Sequence, residues 1–158
     1  MAEQPIVQHV DYPLYVVTAS AGDEISGCLA GFVTQASIKP VRFLVCISKV
    51  NHTFGVAEKS DALALHLVGS DQKDLASLFG ELSMDEVSKF NKVEWSRGET
   101  GAPILAQCAS WAEGNIIDRM STGDHEAFLM TVTDGGPGTH TGQFTLADAS
   151  GFDPGHPA

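Results

Sequence analysis

Residues 27–53 read GCLAGFVTQASIKPVRFLVCISKVNHT, and the order of residue types in this stretch decides the fold. Gly27 to Ser37 is built of small and hydroxyl-bearing residues. Past Pro40, Phe43 to Ile47 (FLVCI) is a short unbroken apolar run, the pattern of a strand covered on both faces. Asn51-His52-Thr53 then precedes a brief helix-like stretch from Phe54 to Lys59, with Thr53 placed as an N-cap whose hydroxyl satisfies a free backbone N–H. Upstream, Tyr12 to Ser20 (YPLYVVTAS) is aromatic and β-branched, Ala21-Gly22-Asp23 carries turn chemistry, and Glu24 to Ala30 is again extended, so a hairpin is predicted.

Downstream, Ala62 to Leu67 (ALALHL) alternates as a strand with a polar His66, and Gln72 to Gly80 places Leu75, Leu78 and Phe79 at helical spacing. Ser83 and Glu86 (SMDE) fit a capping box, which predicts a second short helix to about Phe90 with Val87 and Phe90 inward. Glu94 to Pro103 (EWSRGETGAP) is a loop by composition. Ile104 to Trp111, Asn115 to Ser121 and Glu126 to Thr133 then predict three further strands. Many short strands with one helical excursion, and no βα rhythm, favour a closed or partly closed antiparallel barrel over a doubly wound sheet.

Past Asp134 the chain turns Gly-, Pro- and Thr-rich (DGGPGTHTGQ) without Lys or Arg, which predicts a loose tail over 134–158, flexible or packed on a second copy of the chain, after one domain over 1–133. At 158 residues and 43% hydrophobic content the chain holds one sizeable core. Nine basic against twenty acidic residues, a net charge of −11, argue against nucleic acid, because phosphate-backbone affinity needs clustered Lys and Arg. The N-terminus lacks a basic region followed by a long apolar stretch, and no window approaches the ~20 apolar residues of a membrane span. A cytoplasmic protein with no membrane association is the expectation. Cys28, Cys46 and Cys108 are widely separated and without a CxxC, so reduced thiols are expected rather than disulfides or structural zinc.

Two places offer chemistry. From Gly27 through the apolar strand to Thr53, small residues let a ligand approach the backbone, Thr34, Ser37, Asn51 and Thr53 offer neutral donors, Lys49 offers charge, and a helix start adds backbone N–H groups. The combination suits a phosphate; an ordinary strand followed by a capped helix accounts for the same residues. The second place is Gly123-Asp124-His125, a tight turn before a strand. It would hold an imidazole at a barrel rim, or a histidine hydrogen-bonded within its own loop.

The chain resembles the flavin reductase-like FMN-binding split barrels, the family of ferric reductases, flavoredoxins and the reductase partners of two-component monooxygenases. The resemblance runs from about Tyr12 to Thr133. It rests on Gly27 to Pro40 with its Ser-x-x-Pro turn (Ser37-Ile38-Lys39-Pro40), on Ser48 to Thr53 (SKVNHT), and on Leu75 to Phe79 (LASLF). Trp95 before Gly101-x-Pro103, and Gly123-Asp124-His125 leading into a strand, complete it. Their order and spacing are more specific than any one of them.

The resemblance implies a mainly β fold, a six- to seven-stranded antiparallel split β-barrel that binds FMN, with a few short helices. It implies that Cys28, Leu29, Ala30 and Gly31 line the isoalloxazine ring through backbone groups. Gln35 and Ser37 would lie near the ribityl chain, Lys49, Asn51 and Thr53 near the phosphate, and His125 beside the ring as the catalytic residue where a reduced nicotinamide stacks. Cys28 would act there as a redox thiol or as a small hydrophobe. The implied activity is reduction of FMN, with FAD or a deazaflavin as variants, by NADH or NADPH, in a homodimer that passes electrons to free flavin, ferric iron or a partner monooxygenase. A non-catalytic FMN-, deazaflavin- or haem-binding module is the alternative. The sequence departs from common members at Leu29 and Gly31, where they carry hydroxyl residues, and at Val41, where they carry a second proline.

Overall fold

The computed structural model describes residues 4–81 and 89–152. After a short helix α1 (Pro5–His9), the chain forms β1 (Tyr15–Ala21), β2 (Glu24–Ala30), β3 (Val33–Ser37) and β4 (Arg42–Ser48). Helix α2 (His52–Glu58), strand β5 (Ala62–Leu67) and helix α3 (Lys73–Gly80) follow. The rest comprises β6 (Ser96–Arg97), β7 (Pro103–Ile104), β8 (Ser110–Ser121), β9 (His125–Pro137) and a 3-10 turn at Ala147–Ala149. Seven strands make one sheet in the order β2-β1-β5-β8-β9-β4-β3, with β6 and β7 as a separate ribbon. Every neighbouring pair is antiparallel.

The two edge strands of the large sheet, β2 and β3, are joined by only Gly31 and Phe32, so the sheet rolls until its edges meet. The inside follows from the period of two along each strand. Val17 and Ala19, Cys28 and Ala30, Val45 and Ile47, Leu63 and Leu65, and Phe128 and Met130 fill the barrel, with Val56 and Ala57 of α2 among them. A second cluster lies outside, where Ala76, Leu78 and Phe79 of α3 pack with Leu14, Val16, Val68, Leu105 and Phe144. This cluster covers the outer face of β1, while Ala102 and Ile104 cover that of β5 at Ala64, which is why both strands are almost continuously apolar.

Several expectations need correction. Helix α2 is capped by Asn51, whose Oδ1 accepts from the Thr53 N–H at 2.9 Å. Thr53 sits inside the first turn, fully buried, with its hydroxyl 2.7 Å from that of Ser26. The strands expected over Ile104 to Trp111 and Asn115 to Ser121 are one strand from Ser110, preceded by the two-residue β7, and part of the expected loop 94–103 forms the β6–β7 ribbon. His66 is not a polar alternation point on a half-exposed strand: it is fully buried. The predicted capping box at Ser83 and Glu86, with Val87, lies outside the described residues; Phe90 is buried against Phe79, ring centres 5.6 Å apart.

The loose tail expected past Asp134 is also overturned for residues 134–152. Asp134 to Pro137 continue β9 against β8, and Pro13 and Thr145 form a bridge. Phe144 is 3% exposed. Composition missed this because glycine here serves close packing: a Cβ on Gly138 would fall 1.8 Å from the Cys108 carbonyl oxygen. The expected antiparallel strand-rich architecture stands, with seven strands in the main sheet.

The β6–β7 ribbon is tied to the outer face of the barrel by polar contacts. Thr18 Oγ1 donates to the Pro103 carbonyl at 2.6 Å and Ser20 Oγ to that of Gly101 at 3.0 Å. Glu113, 1% exposed, accepts from the Thr100 N–H at 2.9 Å and the Thr100 hydroxyl at 2.7 Å. A carboxylate this deep is tolerated because donors satisfy it.

Candidate functional site

Strands β4 and β9 pair in a register that sets Cys46 opposite Ala127 and Ser48 opposite His125. Directly opposed residues of an antiparallel pair share a face. Val45 and Phe128 point into the barrel, so Cys46, Ser48 and His125 point out of it. There, beside the β2–β3 junction, a cavity of about 190 Å³ opens. Of the residues expected at a ligand, Cys28, Leu29, Ala30, Gly31, Asn51 and His125 line it. Tyr12, Phe32, Cys46, Ser48 and Leu146, which sequence reasoning did not single out, line it too.

Four expected residues stand elsewhere. Gln35 is exposed on β3 and its side-chain N–H donates to the Ser37 carbonyl at 3.1 Å, with Ser37 half-buried beside it. Lys49 is exposed, and its ammonium donates to the Ser121 hydroxyl. Thr53 is committed to Ser26. The Thr53 amide, which a phosphate at the helix start would need, is taken by Asn51. The glycines also have a reason other than ligand approach: a Cβ on Gly31 would lie 2.4 Å from the Tyr12 ring, and one on Gly27 would lie 2.8 Å from the Phe79 ring.

The chemistry of the cavity comes from three features. Ser48 is 7% exposed and its hydroxyl is without a hydrogen-bond partner, an arrangement that costs free energy until a ligand satisfies it. β2 is an edge strand with no ladder on its outer side, which leaves main-chain groups there to meet a polar ligand edge. His125, with its side chain 21% exposed, places Nδ1 2.7 Å from Asp124 Oδ1. That bond, ahead of the charge of His125, holds the Asp124 carboxyl below its usual range. Thr122 fixes the turn, donating its N–H at 3.0 Å and its hydroxyl at 2.9 Å to the His125 carbonyl.

Leu14, Leu29, Ala30, Ile47 and the rings of Tyr12 and Phe32 supply the apolar part of the walls, and Asn51 adds a further polar side chain. Burial pushes the Cys46 thiol up, which keeps it neutral. Cys28 is buried too. A larger cavity of about 460 Å³ lies between α3 and residues 92–94 and 105–107. Its most buried polar side chain, Gln72, is already paired, donating to the Gln107 carbonyl and accepting from the Gly69 N–H. Of the two, the smaller cavity is the one lined by a buried polar group without a partner, the Ser48 hydroxyl.

A rolled antiparallel barrel with a cleft at its open edge, an orphaned hydroxyl and a rim imidazole forms a candidate site for a small ligand. Residues 7–152 match the model of the flavin reductase like domain, and the chain belongs to that family. It is 29% identical over 127 residues to an NAD(P)H ferric-chelate reductase of Archaeoglobus fulgidus, covering 79% of this chain and 75% of that one. It is 32% identical over 120 residues to the reductase subunit of stachydrine N-demethylase of Rhizobium meliloti, covering 75% of this chain but only 50% of the relative. The NADH:FAD oxidoreductase of Streptomyces globisporus superposes with a TM-score of 0.81 at 25% identity, over 96% of this chain and 86% of that one. The same protein is known in complex with NAD and FAD fragments.

Proposed function

We propose that this chain is a flavin reductase that holds FMN in the cavity beside the β2–β3 junction and takes its electrons from NADH or NADPH. The observation that carries the reading is the buried, unpartnered Ser48 hydroxyl facing the same exterior patch as His125. When bound, flavin accepts a hydride from the nicotinamide and passes electrons to free flavin, ferric iron or a partner oxygenase. The protein's own share is positioning. The β2 edge and Ser48 meet the polar rim of the ring system, apolar walls exclude water, and His125, held by Asp124, orients the donor. The names of the relatives, an NAD(P)H ferric-chelate reductase and an N-demethylase reductase subunit among them, support this reading.

The proposal extends to a homodimer in the cytoplasm. Large apolar side chains left exposed, Ile38, Ile117 and Met120 among them, support an assembly, and sedimentation velocity tests it.

The deciding experiment is an anaerobic titration of the purified protein with FMN, followed by NADH and NADPH, read by visible absorption. A saturable flavin complex whose colour bleaches on adding nicotinamide is the expected result. No complex overturns the reading, and a bound flavin inert to both donors replaces it with a binding module. His125→Ala should slow nicotinamide oxidation by about ten- to hundredfold while flavin affinity stays unchanged; an unchanged rate removes His125 from the mechanism.

A further inference from the structure

Three aromatic side chains stand in a row at the cavity mouth. The Phe32 ring centre lies 5.0 Å from that of His125, planes inclined at 48°, and 6.1 Å from that of Tyr12, inclined at 59°. Despite these neighbours Phe32 is 53% exposed. It also lines the cavity, so its uncovered surface lies at the entrance. Its backbone is held on both sides. The Val33 N–H donates to the Gly31 carbonyl at 3.0 Å, and the Cys46 N–H donates to the Phe32 carbonyl at 2.9 Å, fastening the β2–β3 junction to β4. An exposed aromatic ring on a fixed backbone, beside an imidazole and above a ligand cavity, is a platform for another flat ring.

The chemistry of the electron donor fits that platform in both of its forms. A reduced nicotinamide is a neutral planar ring that stacks on an aromatic face, and the oxidised ring is a cation that an aromatic face also attracts. Charge nearby favours the same ligand. In a chain of net charge −11 a dinucleotide pyrophosphate needs local positive charge. Lys49 stands at this end of β4, outside the cavity lining, its N–H donating to the Asp124 carbonyl at 2.9 Å and its ammonium to the Ser121 hydroxyl.

We propose that Phe32 is a donor-binding residue: its exposed ring stacks on the nicotinamide that NADH and NADPH share and holds it beside His125. The assignment rests on the flavin reductase reading and adds a residue to it.

The test compares Phe32→Ala, Phe32→Leu and Phe32→Tyr with the wild-type protein. FMN affinity is measured by fluorescence quenching, NAD+ affinity on the FMN-loaded protein by calorimetry, and KM for NADH by steady-state kinetics. Phe32→Ala should weaken NAD+ binding and raise KM by about three- to tenfold, the loss expected for one aromatic stacking pair, while Phe32→Tyr stays within about twofold of wild type. Phe32→Leu should fall between them, and across the series FMN affinity should change less than NAD+ affinity. Unchanged NAD+ affinity and KM in Phe32→Ala overturn the assignment, and so does a loss confined to FMN binding, which would set the ring against the flavin. A drop in sedimentation coefficient with nicotinamide binding intact overturns it in favour of an interface. If wild-type protein takes up no FMN, the flavin reading falls and this assignment with it; failure of the variant series alone removes only Phe32.

Discussion

His66 shows how little a residue's type says about its role until its partners are known. Its Nδ1 donates to the Val16 carbonyl at 2.9 Å and its Nε2 accepts from the Leu105 N–H at 3.0 Å. One neutral tautomer satisfies both, and the ring pins the segment after β7 to β1. Burial is the main cause that lowers its pKa to about 4. The unfolded chain takes up a proton on this side chain from about pH 6.5 downward while the folded ring stays neutral to about pH 4. Stability is therefore present above that window and is lost as pH falls through it, by an amount on the order of 3 kcal/mol. The melting temperature should fall between pH 6.5 and 4.5, and His66→Gln, which keeps a donor and an acceptor, should flatten that fall; identical slopes by circular dichroism would reject the account. Nothing in ALALHL marks this staple, because Val16 and Leu105 lie far away in sequence. Ser48 was hidden for a similar reason: after FLVCI it reads as a strand end, and only the pairing with His125 reveals what it faces.

At the level of elements, sequence periodicity located β1, β2, β4, β5 and α3 closely and misread the places where polarity interrupts a strand. Ala112-Glu113-Gly114 reads as a break, yet β8 runs through it. Glu113 finds its donors in the β6–β7 connection, and Gly114 admits the Thr131 carbonyl, which lies 1.7 Å from where a Cβ would stand. Helix α2 needs outside help of the same kind. Seven residues form a marginal helix in water, and Arg119 of β8 closes its last turn by donating to the carbonyls of Ala57, Glu58 and Ser60 at 3.2, 2.8 and 2.6 Å. Its guanidinium also lies 5.3 Å from the Phe128 ring centre. Arg119→Ala should lower stability in urea by about 1–2 kcal/mol and leave FMN affinity unchanged. A matching loss of FMN affinity would show that α2 communicates with the cavity.

For the molecule as a whole, the strand-rich plan was legible because many short apolar runs separated by turn residues admit few architectures, and the order of motifs narrowed them to one family. The C-terminal segment was not, since the contacts that fasten it to the barrel are long-range. The Leu14 N–H donates to the Phe144 carbonyl and the Leu146 N–H to that of Tyr12, both at 2.9 Å. The Ala147 N–H donates to Asp11 Oδ1 at 2.9 Å. A chain ending after Pro137 should lose the burial of Phe144 and these bonds, together about 4 kcal/mol, and melt roughly 10 °C lower. Because Leu146 lines the cavity, the same truncation should weaken flavin binding. Unaltered melting would mean that the segment rests on the barrel without supporting it.

If the cavity holds flavin as proposed, the opposition of Ser48 and His125 across β4 and β9 makes ligand uptake a proofreader of strand alignment. Side chains alternate between faces, so a slip of one residue in either strand would send its own group, Ser48 or His125, indoors and bring Val45 or Phe128 to the outer wall. Such a molecule could keep its ladders and its compactness, yet it would be blind to its cofactor. Colour on the purified protein is thus a sharper certificate of correct assembly than any count of secondary structure.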